Sequence, residues 1–122
     1  MRILVLDDSD IMRDVVVNSL VESGLPREVI TEAASGVEAI RLVNSDTFDL
    51  FILDIVMDGI DGVAVLKEIK KVQPAAKVIM CSTFSKSETV RDLIDLGIDD
   101  FIVKPFTRER LKDTTFRYIH NY

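Results

Sequence analysis

Little in this chain could cross-link it, anchor it in a bilayer or report on its state. There is one cysteine, Cys81, so no internal disulfide can form and a reducing, cytoplasmic compartment is expected. The single histidine, His120, stands near the end of the last helical stretch and is read without a catalytic or metal role. Tryptophan is absent, which removes the usual fluorescence reporter. No stretch approaches the roughly 18 apolar residues that a spanning helix needs. The opening run Ile3–Leu6 is too short for a signal peptide and meets acid at once. Positive charge is in deficit, with 15 Lys and Arg against 21 Asp and Glu for a formal net charge of −6. Direct nucleic-acid binding rests on cations that neutralise phosphates, so it is not expected here. With no internal repeat, linker or low-complexity tract, residues 1–122 are expected to form one domain.

What the chain does have is regular alternation. Hydrophobic residues make up 48% and charged residues 30%, enough for a core and a solvated surface. Short apolar runs rich in β-branched residues lie at 3–6, 29–33, 50–53, 77–81 and 101–103, as expected for strands covered on both faces. Between them apolar residues recur at helical spacing. Ile11, Val15, Leu20 and Val21 mark the first helix, Val37, Ile40, Leu42 and Val43 the second. Val63, Val65, Leu66, Ile69 and Val72 mark the third, and Val90, Leu93, Ile94 and Leu96 the fourth. Leu111, Phe116 and Ile119 mark a fifth, with Thr107 as its N-cap. Gly24, Pro26, Pro74 and Gly97 supply stops. Five rounds of strand then helix predict an α/β fold: a doubly wound, five-stranded parallel sheet in the flavodoxin-like order 2-1-3-4-5, with five helices.

In such sheets, sites form beyond the carboxyl ends of the strands, near the switch in strand order. Asp7 and Asp8 follow the first run, Asp54 the third, Ser82 and Thr83 the fourth, and Lys104 and Pro105 the fifth. Strands one and three are neighbours in this order, so Asp7, Asp8 and Asp54 converge. Three crowded carboxylates repel, and one would hold a proton unless a cation sat among them. An oxygen-only set suits Mg²⁺. Lys104 would add a mobile positive charge and Ser82 a hydroxyl. A carboxylate beside a metal and an ammonium can attack phosphorus and form an acyl phosphate.

Each of these residues has a plainer reading: the aspartates cap turns and helices, Ser82 is a turn hydroxyl, and Lys104 is a solvated lysine. Five such residues at the ends of four strands favour a site. Asp58, Gly59, Asp61 and Gly62 lack the spacing and final Glu of a calcium loop, and read as a turn opening the third helix. Cys81 reads as a small core residue.

Four segments carry a family resemblance: Leu4-Val5-Leu6-Asp7-Asp8-Ser9, Leu53-Asp54-Ile55-Val56-Met57, Cys81-Ser82-Thr83 and Phe101-Ile102-Val103-Lys104-Pro105-Phe106. In this order and spacing they resemble the receiver domain of two-component response regulators over essentially the whole chain. The Ile11-Met12-Arg13 continuation is most similar to the single-domain, CheY-like chemotaxis branch. The resemblance implies that Asp54 is the phosphoacceptor for a histidine kinase or a small acyl phosphate. It implies that Asp8, Asp54 and the backbone carbonyl of Val56 bind Mg²⁺ directly, with Asp7 acting through water. Ser82 would be the switch hydroxyl, Lys104 a phosphoryl contact and Phe101 the switch aromatic. A cis Lys104–Pro105 bond is implied as well. The change would be read by a protein target, such as a flagellar switch or another effector, on the face of the fourth helix, last strand and last helix. Arg108, Arg110, Lys112 and Arg117 on that last helix would favour an acidic partner surface.

The chain departs from the family at Asp58-Gly59 (in place of a proline), at Thr83 (in place of a smaller residue), and at the apolar Val56 and Phe84. These last two flank the site and predict slow self-dephosphorylation. Two other classes fit less well. Asp8-Ser9-Asp10 matches the D-x-D of haloacid-dehalogenase-type phosphatases, but that reading leaves Asp54 unexplained and the chain is short for such a fold with its cap. An FMN module would need hydroxyls and N–H groups where Asp7, Asp8 and Asp10 stand, and these would repel a phosphate monoester.

Overall fold

The structure is a computed structural model and describes residues 1–55, 62–83 and 87–120. In chain order the elements are β1 (Ile3–Leu6), α1 (Asp10–Glu22), a 3₁₀ turn (Arg27–Val29), β2 (Ile30–Ala33), α2 (Gly36–Ser45) and β3 (Leu50–Asp54). Then follow α3 (Gly62–Val72), β4 (Lys77–Ser82), α4 (Ser87–Asp95), β5 (Asp100–Val103) and α5 (Arg108–His120). The strands form one sheet in the order β2-β1-β3-β4-β5, every pair parallel. This is the flavodoxin-like order expected from the alternation.

Successive strand residues point to opposite faces, so each apolar run feeds two cores. On one face Leu4, Leu6, Phe51, Leu53, Val78 and Met80 pack with Leu66 and Ile69 of α3. On the other, Ile3, Val5, Ile52, Ile79, Cys81 and Ile102 pack with Val16 and Leu20 of α1 and Leu111 of α5. Covering both faces is what makes the runs read as uninterrupted hydrophobic strings. Among the described residues, three helices open on hydroxyl caps: Ser9 accepts from the Met12 N–H, Ser35 from the Glu38 N–H, and Thr107 from the Arg110 N–H. After α4, Gly97 sits at φ 102°, a left-handed position where a side chain would be strained.

One expectation is corrected. Val29 belongs to the 3₁₀ turn and not to β2, because its N–H bonds to the Pro26 carbonyl. The helical markers Ile11, Val37, Ile94 and Phe116 are also exposed, at 77%, 64%, 58% and 55%. The buried residues of α1 are Val16, Val17, Ser19 and Leu20, and of these only Leu20 is among the markers. Apolar spacing announces a helix, but the rotation of that helix against the sheet is set by its neighbours. Among the described residues, no helix is long and apolar enough to cross a membrane.

Candidate functional site

The carboxyl ends of β1, β3 and β5 deliver the acids and the lysine to one place, and Ser82 ends the intervening strand β4. Asp54 is the last residue of β3 and pairs in register with Cys81 of β4. Asp7 follows β1, and its N–H bonds to the Ala33 carbonyl of β2 at 3.2 Å, which continues the sheet by one residue. Its Oδ1 accepts the Ser9 N–H at 2.9 Å, so the turn into α1 is held by the acid itself. Asp7 and Asp54 are buried and Asp8 is exposed. One carboxylate oxygen from each of the three lies within 4.8 Å of the others. The sequence expectation that these acids converge is met.

Lys104 crosses to this cluster from the end of β5. Its Nζ donates to Asp7 Oδ2 at 2.9 Å and lies 3.5 Å from Asp54 Oδ2, with the side chain only 14% exposed. Burial alone would lower its pKa, but the hydrogen bond to Asp7 and the charges of Asp7 and Asp54 outweigh burial and raise it. The ammonium therefore stays charged at neutral pH. The Lys104 N–H donates to the Ser82 carbonyl at 2.7 Å, and the Lys104–Pro105 peptide is cis.

Among the described residues, three carboxylates against one ammonium leave two formal negative charges, which one divalent cation would balance. An all-oxygen donor set at this spacing fits Mg²⁺. Ser82 is fully buried at the end of β4, and Thr83 beside it is exposed. Cys81 lies beneath the cluster, where burial pushes its thiol up to about 12. Phe101 is half-buried on β5 and packs against the core face that α3 covers. Val56, Phe84, Asp58, Gly59, Asp61 and the side chain of His120 lie outside the described residues.

Two neighbours of the site had no functional reading in the sequence. Gly62 opens α3 with its N–H on the Ile55 carbonyl, and a Cβ there would stand 2.1 Å from the Asp54 carbonyl oxygen. Arg13 of α1 donates to the carbonyl of Asp7. Neither carries a local signal, since both roles depend on contacts made across elements. The basic residues of α5 are less available than their sequence implies. Arg108 and Lys112 pair with Glu22 of α1, and Arg117 pairs with Asp100.

Known proteins resemble this chain in sequence and in fold. The family model for the response regulator receiver domain matches residues 3–116. The chemotaxis protein CheY of Bacillus subtilis (strain 168) is 41% identical over 110 residues, covering 90% of each chain. The response regulator protein VraR of Staphylococcus aureus is 33% identical over 112 residues, which is 92% of this chain and 53% of VraR. The crystal structure of the receiver domain of NtrX from Brucella abortus superposes with a TM-score of 0.86 at 35% identity, covering 98% of this chain and 99% of that one.

Proposed function

The chain belongs to the response regulator receiver domain family, and from that premise we propose that Asp54 is its phosphoacceptor, charged by a histidine kinase or a small acyl phosphate. The observation that carries this reading is the Lys104 ammonium set against the Asp7 and Asp54 carboxylates, with Asp8 in the same cluster. Asp8, Asp54 and the Val56 carbonyl would hold Mg²⁺ directly and Asp7 through water. When bound, Mg²⁺ supplies charge that offsets the phosphoryl oxygens. An Asp54 carboxylate oxygen forms the new bond to phosphorus. The bond from phosphorus to the donor's nitrogen or oxygen breaks, and its electron pair leaves with the donor. Lys104 gives up part of its contact with the acids to meet the incoming anionic oxygens. The chain catalyses only its own phosphorylation and dephosphorylation.

The added charge then draws in the Ser82 hydroxyl, and Phe101 follows inward, which re-sets the face formed by α4, β5 and α5. That face has the character of a reading surface. Ile94, Val103 and Phe116 are exposed on these three elements, and Phe101 lines a hollow of about 180 Å³ with Val90, Ile94 and Ile98. The chemotaxis relatives favour a CheY-like role in the cytoplasm, with a flagellar switch or another effector as target. A second context is a longer regulator, favoured by the match to about half of VraR.

The test is intact mass after incubation with acetyl phosphate, with and without Mg²⁺, for wild type and Asp54→Asn. A single Mg²⁺-dependent phosphoryl adduct, absent from the variant, is expected. An adduct that persists in Asp54→Asn but is lost in Asp8→Asn would move the chemistry to Asp8 and favour the phosphatase reading.

A further inference from the structure

We infer that Arg13 is a positioning residue for the metal-binding acids, acting through the backbone of Asp7. This rests on the reading of the acidic cluster given above. Arg13 is only 14% exposed although its side chain starts from the first turns of α1. Its guanidinium makes three directed contacts. Nη1 donates to the Asp7 carbonyl at 2.7 Å, Nε to Glu32 Oε1 at 2.9 Å and Nη2 to Asp10 Oδ1 at 2.6 Å. These partners lie on the β1–α1 loop, on β2 and at the start of α1. Glu32 is itself braced by Arg27, which also donates to the Ile30 carbonyl. The planar fork of one arginine thus ties the loop that carries Asp7 and Asp8 to the neighbouring strand. A lysine could not do this, because its ammonium is a point charge on a shorter reach.

With this clamp, every hydrogen-bonding group of Asp7 has a partner: the N–H on Ala33, the carbonyl on Arg13, Oδ1 on Ser9 and Oδ2 on Lys104. Residues behind metal ligands that fix ligand orientation typically matter about 10–100-fold in metal affinity. Charge alone makes the opposite prediction. Removing Arg13 leaves Asp10 and Glu32 without this partner near the acidic cluster, which would attract a divalent cation more strongly. The sign of the effect therefore separates positioning from electrostatics.

The experiment measures Mg²⁺ binding by calorimetry on the folded chain, alongside the Mg²⁺ dependence of phosphorylation by acetyl phosphate. The proteins are wild type, Arg13→Met, Arg13→Lys and Glu32→Gln. Arg13→Met is expected to weaken Mg²⁺ binding about tenfold. The rate at saturating Mg²⁺ should fall by much less, because the nucleophile and Lys104 are untouched. Arg13→Lys, with the charge kept, is expected to recover only part of the affinity, and Glu32→Gln to lose a smaller part. Arg13→Lys keeps the charge and loses only the fork, so it answers the question if Arg13→Met does not fold, whereas a loss in Glu32→Gln is expected from charge as well. Equal or tighter Mg²⁺ binding in folded Arg13→Met, or unchanged binding in Arg13→Lys should the former not fold, would overturn the inference alone. A wild type that binds no Mg²⁺ would overturn the reading of the cluster and this inference with it.

Discussion

Cys81 and Lys104 show how a single residue is set by what surrounds it. Cys81 reads in the sequence as a small core residue, and it is buried at 3% exposure under the acidic cluster. Its thiol is pushed up to about 12 from an ordinary 9.0, first by burial and then by the nearby charges of Asp54 and Asp7, against a lowering by Lys104. Between those values the unfolded chain releases a proton that the native state retains, so stability falls as pH rises. The raised pKa of Lys104 acts in the same direction, its contribution being lost as pH climbs through the native value. Urea unfolding followed from about pH 8 to about pH 11 is expected to show a steady loss of stability starting near pH 9. Cys81→Ala should make that decline shallower. An unchanged slope would count against the thiol as a contributor.

Among the elements, α3 is tightly constrained where it starts beside the site. Its apolar stripe was legible as Val65, Leu66 and Ile69, which are fully buried. Its start was legible only as a turn. The structure adds that Gly62 lies against backbone: a Cβ would meet the Asp54 carbonyl oxygen at 2.1 Å and Ile55 Cα at 2.8 Å. Backbone cannot rotate aside as a side-chain tip can. Gly62→Ala is therefore expected to cost about 1–3 kcal/mol in urea unfolding and to disturb the end of β3. A change within about 0.5 kcal/mol would show that α3 can slide to make room. Helix α5 teaches the complementary lesson. Its run of basic residues looked free for a partner, yet three of the four face acids of this chain. Exposed pairs of this kind contribute little to stability, but they reduce the positive field the helix can offer.

At the scale of the whole molecule, the sheet order brings together groups that the chain keeps far apart. Lys104 and Asp7 are 97 residues apart and 2.9 Å in space. The cost of this design is a cluster of acids that repel one another when no cation is bound. Mg²⁺ is therefore expected to stabilise the fold by linkage, by about 2.7 kcal/mol at a hundred times its Kd. Thermal unfolding followed by circular dichroism, with Mg²⁺ and with EDTA, measures this. Asp8→Asn should raise the melting temperature in EDTA, because one like charge is removed, and should lose most of the Mg²⁺ shift. A wild type with the same melting temperature in both conditions would argue against a metal-binding cluster.

The sequence by itself determined the alternation of strands and helices, the α/β class, the parallel order and the residue types at each strand end. Those signals are local: apolar period, β-branched runs, caps and turn residues all act within a few positions of one another. The tertiary structure alone decided which side of α1 is buried, which carboxylates Lys104 meets, how closely Gly62 approaches Asp54, and that Arg13 reaches Asp7, Asp10 and Glu32 together. These depend on distances between elements that are remote in the chain. They are fixed by the crossovers and by packing against the two faces of the sheet, where a rotation of one helix turns a core residue into a surface one.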